Sequence, residues 1–582
     1  MNLAMAVLLA LMLILPFLIT RHDLPVPSFY SEWTAILLGM AAMLPWLSRL
    51  DLRRLHFPMV ILAFLGLAVV IAIQYWIGRI PYAEQMALPI FYLVWAAVLV
   101  IVGRDLRARF DLKYLCALFA WALVAGGALN ALVALSQVFG NEVGSARFLS
   151  YCMDPLVASA AGRAYGNLGQ ANHFAAYLAI SLTSVAYLHF SGRVRSFAAL
   201  GVAALVLMGA ILSGSRAFWA YLLVLAAIGG FMIPGEARGM IRKAAAGTVG
   251  VIALLGFALY FMPGSLPEGV TRIVSLDELF SGRFHLLRHA WLMFLDAPLL
   301  GVGFGGFASG MYQHSLVVPL AEKYGLDVNA HNLLFHLLAE TGLCGLLVVL
   351  IPLLLWLRAV MKEQWSLEKW WMGGVLSIVL LHGLIEYPLW YAYFTGLAAL
   401  FMGMLSPGPF HFGRTGWPGS MLPLPHWKVL RAVMILAIFY AGIEAVRYAR
   451  DYAYVEAAIY QSAGRGLDPG ARAQGLRAVH ERERLRRFVE LAEPGAVFAA
   501  SGGVGEKLEL SRRVMRFSPV VEVAYRHSVL LASAGFHDDA LDNLRKAMTV
   551  YPDRLGVYGG RMVELARRDP EKYGALADML SK

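Results

Sequence analysis

Apolar runs of about 20 residues recur from Leu3 to Arg447, each bounded by a short polar loop and each long enough to cross a bilayer. The pattern predicts spans at 2–19, 33–47, 58–78, 87–103, 114–139, 174–191, 197–213, 217–234, 244–262, 333–357, 370–386, 389–405 and 429–447. The second is short, and the two beside Tyr387-Pro388 read as a tight hairpin. One long polar stretch, 263–332, interrupts the series. After Arg447 the pattern changes: residues 448–582 are charged, lack long apolar runs and repeat at helical spacing. Within them, Ala534-Gly535-Phe536, Ala540, Ala547 and Pro552 fall at the spacings of the later half of a tetratricopeptide-type hairpin. One such hairpin cannot bury its apolar face alone, so helices around 471–494 and 504–516 are expected to complete a small domain. The run Glu481 to Arg487 reads as a solvated helix face.

The expected fold is therefore an all-α polytopic membrane protein with about 13 transmembrane helices, a large loop and a C-terminal helical domain. The expected divisions are 1–140 (N-terminal spans), 141–410 (core with loop 263–332), 411–447 (a loop and the last span) and 448–582.

Composition agrees: 59% of the 582 residues are hydrophobic, 15% are charged, and mean hydropathy is +0.64. The first run has no basic flank or clear cleavage site, so it reads as a retained span. The net charge of +11 lies largely in short loops between spans and is no nucleic-acid signal. Lys and Arg crowd alternate loops, as with Arg104, Arg107, Arg109 and Lys113, which places the N-terminus in the cytoplasm. Loop 263–332 and the C-terminal tail then face outward. Cys116, Cys152 and Cys344 are far apart and imply neither disulfide framework nor zinc site. No HExxH, cysteine cluster or acidic cluster suggests a metal.

Polar residues that interrupt the pattern carry the chemistry. His331-Asn332 ends the long loop, and an apolar run follows at once, which puts a histidine where water meets lipid. His336, Glu340 and Thr341 lie inside that run, where ionisable groups are expensive. His336 and Glu340 are four apart and are expected to pair on one helix face. Upstream, Gly282 to Trp291 reads as an amphipathic surface helix with His285, Arg288 and His289 on one face and Arg283 a turn earlier. Arginine suits phosphate because its planar fork grips two oxygens and stays charged. Ordinary contact with lipid phosphates would explain these arginines as well.

Three further groups fall on the outer side. Arg216, in Ser213-Gly-Ser-Arg216, breaks the positive-inside trend at a hairpin tip, although snorkelling would account for it. Gln170, Asn172 and His173 gather just before the sixth span; amides of this kind read sugar hydroxyls through paired donors and acceptors, or simply cap a helix. Glu386, Tyr387 and Trp390 surround a helix-breaking Pro388. By contrast, Gly301-Val-Gly303-Phe-Gly-Gly306 matches a dinucleotide fingerprint without the strand–helix context that fingerprint needs.

Together these residues resemble the O-antigen ligase and polymerase superfamily. The carriers are His331-Asn332 followed by Gly342 and Gly345, Arg216 in its turn, and the Gly-Arg…Trp stretch of the long loop. Gly166-Asn-Leu-Gly-Gln-Ala-Asn-His-Phe174, Glu386-Tyr-Pro-Leu-Trp390 and the extra C-terminal domain resemble the protein-modifying branch, the pilin-type O-oligosaccharyltransferases. Ala171 stands where a proline is expected for that branch. The resemblance covers about residues 160–410.

It implies transfer of a glycan from an undecaprenyl pyrophosphate donor to an acceptor hydroxyl at the periplasmic face of a bacterial inner membrane. Arg216, Arg283 and Arg288 would then hold the leaving pyrophosphate, and His331 would act as general base with Asn332 fixing its ring. Gln170, Asn172, His173, Glu386 and Tyr387 would line the acceptor or sugar site. No cofactor or metal is implied, because arginines supply the charge. The acceptor is read as a Ser or Thr of a pilin-like or other periplasmic protein, because helical-repeat domains often bind polypeptide. A growing glycan (polymerase) and lipid A–core (ligase) are the alternatives. A lipid-linked glycan transporter is the reading from another class; it would want polar or broken helices at the membrane midplane, whereas here the ionisable groups gather at one face.

Overall fold

The computed structural model describes residues 3–48, 50, 57–139, 163–232, 239, 250, 283–318, 325–407, 424–461, 484–492 and 502–581. The expected span 244–262 apart from residue 250, the first part of loop 263–332 and Cys152 lie outside them, as do most of the helical stretch expected at 471–494 and residues 481–483 of the charged run.

Among the described residues there is no strand. In chain order the helices begin with α1 Leu3–Met12, α2 Phe29–Ser48, α3 Ile61–Trp76, α4 Ala83–Arg109, α5 Leu112–Phe139, α6 Ala171–Phe190, α7 Ser196–Leu212 and α8 Arg216–Met232. They continue with α9 Phe284–Asp296, α10 Phe307–Gln313, α11 Leu333–Met361, α12 Leu367–Gly383, α13 Ala392–Leu405 and α14 Leu424–Gln461. The C-terminal helices are α15 Arg486–Ala492, α16 Val504–Phe517, α17 Val521–Ser533, α18 His537–Val550, α19 Leu555–Arg568 and α20 Pro570–Leu580. Among the described residues, five helices (α4, α5, α6, α11 and α14) carry stretches long and apolar enough to cross a membrane, and five shorter apolar helices accompany them. The chain is a multi-pass helical membrane protein. Leu436, Phe439 and Tyr440 of α14 and Ile351 and Leu354 of α11 are bare, as lipid permits, since its tails are as apolar as the side chains.

Contacts group the described residues into two units. The first lies within 1–65, 92–277 and 350–447. Its centre is α6, which packs on α5, α7, α8 and α12 and buries side chains on every face. The turn that the sequence predicts at Tyr387-Pro388 is a short 3-10 segment, Pro388–Trp390, between α12 and α13.

The second unit lies within 66–91, 278–349 and 448–582. Its C-terminal part stacks α16 on α17, α17 on α18 and α19 on α20, and Gly535 makes the α17–α18 turn. Buried Glu490 accepts from Tyr82 at 2.6 Å and from Arg513 at 2.6 Å and thereby ties α15 and α16 to the segment after α3.

Candidate functional site

In the second unit, α11 departs from the single span expected at 333–357. Gly342 adopts φ 63° and ψ −164° and breaks the helix. A broken helix leaves peptide groups that lipid cannot satisfy, so they need protein partners. The segment 298–303, which runs into the Gly301–Gly306 motif, provides them. Val302 and Gly303 N–H donate to the carbonyls of Ala339 and Glu340 at 2.9 and 3.1 Å, and Leu343 and Cys344 N–H donate to Pro298 and Leu299 at 2.8 and 3.1 Å. Buried Gln74 adds two bonds from its amide, to Leu300 and Glu340 carbonyls at 2.6 and 2.7 Å. A Cβ on Gly301 would sit 2.2 Å from the Glu340 carbonyl carbon. The glycines of this dinucleotide-like motif thus allow two backbones to touch.

Glu340, buried in α11, accepts from Gly305 N–H at 2.9 Å and Phe307 N–H at 3.1 Å and so holds the start of α10. The expected His336–Glu340 pair forms, with Nε2 3.1 Å from Oε2. His336 Nδ1 accepts from Ala330 N–H at 3.2 Å, so the same ring touches both Glu340 and the residue before His331.

His331 follows directly. It has φ 50°, and among the described residues it is the one non-glycine in the left-handed region. Its N–H donates to Asn329 Oδ1 at 2.9 Å, and this bond stabilises the turn. Asn332 caps α11: its Oδ1 accepts from Leu334 and Phe335 N–H at 3.1 and 3.2 Å. Asp327 lies in the field of both His331 and His285; burial pushes its carboxyl up, while the two imidazoles pull it down. Burial holds His285 below the usual histidine range, against the pull of Asp327. Asp327 and Asn329 were missed by the sequence reading; their place in a turn just before His331 is the signal that would have found them.

Helix α9 forms where the sequence predicts, with Arg283 just before it, but its face is turned. Leu286, His289, Ala290 and Met293 point inward, Arg288 is exposed and His285 is half-buried. His289 is therefore not part of a basic face. Burial, then His314, His285 and Arg288, push it down to about 4.

The first unit gathers the other predicted residues. Gln170 precedes α6 in extended conformation, and its side-chain amide donates to Glu386 at 3.2 Å. Asn172 donates to the other Glu386 oxygen at 2.7 Å and accepts from the Ser215 hydroxyl at 3.0 Å. Ser215 immediately precedes half-buried Arg216, so one amide links Glu386 to the arginine turn. His173 is buried with its ring edge-on to His382, Tyr387 and Tyr391, at centroid distances of 5.0, 5.8 and 4.9 Å. Gln170, His173, Tyr387, Tyr391, Tyr393 and His22, among others, line a cavity of about 390 Å³. His22 had no distinguishing signal in the sequence. The His22 ring reaches the Asn167 carbonyl at 2.7 Å, a pairing across 145 positions. A pocket of this size with aromatic walls and a few aimed polar groups suits a small polar ligand.

Over residues 164–189 the chain matches the family described as protein glycosylation ligase. Residues 201–350 match the O-antigen ligase family, and 370–555 match the family described as virulence factor membrane-bound polymerase, C-terminal. Gln170, Asn172 and His173 fall in the first match, Arg216, Arg283, Arg288, His331 and Asn332 in the second, and Glu386 and Tyr387 in the third. A general O-oligosaccharyltransferase of Acinetobacter baylyi is 26% identical over 426 residues, 70% of each chain. A ComP-specific O-oligosaccharyltransferase of the same organism is 21% identical over 391 residues, 65% of this chain and 67% of the relative. These matches support a bacterial O-oligosaccharyltransferase, an enzyme of the O-antigen ligase superfamily.

Proposed function

We propose that the protein moves a glycan en bloc from undecaprenyl pyrophosphate to a Ser or Thr hydroxyl of a periplasmic or pilin-like protein, at the periplasmic face of the inner membrane. The observation that carries the reading is the His331 turn, an imidazole held in a left-handed conformation by Asn329 at the head of α11. In this reading His331 takes the proton of the acceptor hydroxyl. The acceptor oxygen attacks the anomeric carbon, the bond to the phosphate oxygen breaks, and undecaprenyl pyrophosphate leaves with the electron pair. The anomeric configuration inverts. Arg216, Arg283 and Arg288 are assigned to the pyrophosphate, whose growing charge they stabilise without a metal. Asn332 acts by fixing the start of α11. Gln170, His173 and Tyr387 contact sugar or acceptor in the cavity, while Asn172 works through Glu386.

The polymerase-type match over 370–555 supports a second reading, in which the acceptor is a growing glycan. Reconstitution separates the two. Purified protein is given a polyprenyl-pyrophosphate oligosaccharide and a pilin-like acceptor, with and without EDTA, and intact masses are read. A glycan-sized gain on the protein, unchanged by chelator, is expected. Longer lipid-linked glycan with no protein product would replace this reading with the polymerase. His331→Ala is expected to abolish transfer while the protein inserts and unfolds as the wild type does.

A further inference from the structure

Helix α10 takes part in two hydrophobic clusters. Its Phe307 and Met311 pack with Leu286 and Met293 of α9 and with Ala330 and Ala339 on either side of the His331 turn. Its Tyr312, fully buried, lies instead among Val514, Ala524, Leu544 and Ala547 of the C-terminal helices. Leu326, just before Asp327, touches both clusters. The Tyr312 hydroxyl donates to Asn543 Oδ1 at 3.0 Å and lies 3.1 Å from the Asn543 carbonyl oxygen. The Asn543 amide in turn donates to the Ala524 carbonyl and the Ser528 hydroxyl, both at 2.8 Å. At its other end α10 is held by Glu340, Glu340 pairs with His336, and His336 accepts from Ala330 N–H, one residue before His331. A continuous series of buried contacts therefore runs from α18 to the His331 turn, and no step in it relies on an exposed side chain.

We propose that Tyr312 is a positioning residue for His331, and that the C-terminal helical domain holds the catalytic segment in place through Tyr312 and α10. The inference rests on His331 as general base. It gives the domain a task apart from gripping an acceptor: the domain sets turnover once both substrates are bound. Contiguous packed groups of this kind carry coupling between an anchoring element and a reactive one.

Tyr312→Phe removes one hydroxyl and keeps the ring in the cluster. Ser528→Ala removes a partner of the same Asn543 without touching α10, and serves as the control. Two readouts are taken on the full-length protein in nanodiscs. The first is hydrogen exchange of the peptide spanning 327–337, which needs no substrate. Faster exchange is expected in Tyr312→Phe and wild-type exchange in Ser528→Ala. The second is steady-state transfer with polyprenyl-pyrophosphate oligosaccharide and a pilin-like acceptor. Tyr312→Phe is expected to lose about tenfold in kcat with KM for both substrates within twofold, and Ser528→Ala to stay within twofold in all. Unchanged exchange at 327–337 overturns the proposal whatever the activity. So does an acceptor KM that rises while kcat holds, which would make the domain a gripping surface alone. A wild type without transferase activity would count against the proposed reaction, and the exchange readout would still decide the role of Tyr312.

Discussion

The buried carboxylate of Glu386, in the α12–α13 turn, accepts from the side-chain amide of Asn172 at the start of α6 at 2.7 Å. The same Asn172 takes the Ser215 hydroxyl on its carbonyl oxygen, one residue before Arg216. Hydrogen bonds to a charged group contribute about 1.5–3 kcal/mol, roughly 10- to 100-fold in rate if the geometry serves the reaction. Asn172→Asp places a second carboxylate against Glu386 and is expected to lower transfer by about 100-fold. Glu386→Gln keeps an acceptor oxygen and is expected to lose less. Equal activity of Asn172→Asp and wild type in the reconstituted assay would separate this network from function.

Asn329 is the partner that stabilises the unusual backbone of His331. In Asn329→Ala that N–H loses its acceptor, which costs about 1–3 kcal/mol when the group is buried. The turn can then relax toward ordinary φ values. Turnover is expected to fall about tenfold with little change in donor or acceptor KM. A rise in KM alone would instead make Asn329 a substrate contact.

The helix break at Gly342 tolerates no side chain. A Cβ there would lie 2.4 Å from the Leu299 carbonyl carbon, and its φ of 63° is one that L-residues avoid at about 1–2 kcal/mol. Gly342→Val adds overpacking of about 1–3 kcal/mol and is expected to reduce folded yield and melting temperature sharply. Gly560→Ala, in α19 with open space around the site, is the surface comparison and is expected to match or slightly exceed the wild type. A Gly342→Val protein as stable as wild type would mean that the two backbones do not need this approach.

Two histidines outside the membrane segments make stability depend on pH. His289 and His527 are each held down to about 4, chiefly by burial, with His314, His285 and Arg288 adding to the first and Arg512 to the second. In the unfolded chain both take protons near 6.5. Their neutral forms therefore support the fold fully above about pH 6.5, and that support is lost as pH falls from 6.5 through 4. The melting temperature is expected to fall steadily across this window. His289→Leu should flatten the slope; an identical slope in the variant would remove His289 from the account.

The sequence reading located helices well because bilayer-length apolar runs are hard to mistake, and α6, α7 and α8 begin within three residues of the expected positions. His331-Asn332 stood out as polar residues at the edge of an apolar run, and His336–Glu340 followed from helical spacing alone. What stayed hidden depends on distance along the chain. Gly342 sits in an unbroken apolar run, so nothing local marks the break; its partners lie some 40 residues earlier. Gln74 meets Glu340 across 266 positions, and Tyr312 meets Asn543 across 231. The inward turn of His289 was equally invisible, since spacing fixes which residues share a face and not which face is buried.

The ladder between residues 298–303 and 339–344 also limits how this enzyme can be re-engineered. Loop exchange between relatives is a natural way to alter glycan or acceptor choice. A graft that ends between Leu299 and Cys344 would pair peptide groups from two parents across a backbone contact that leaves no room for a Cβ. The stretch from Ala297 to Gly345, with the His331 turn inside it, is one inheritable cassette, and its natural companion is the parent's own Gln74.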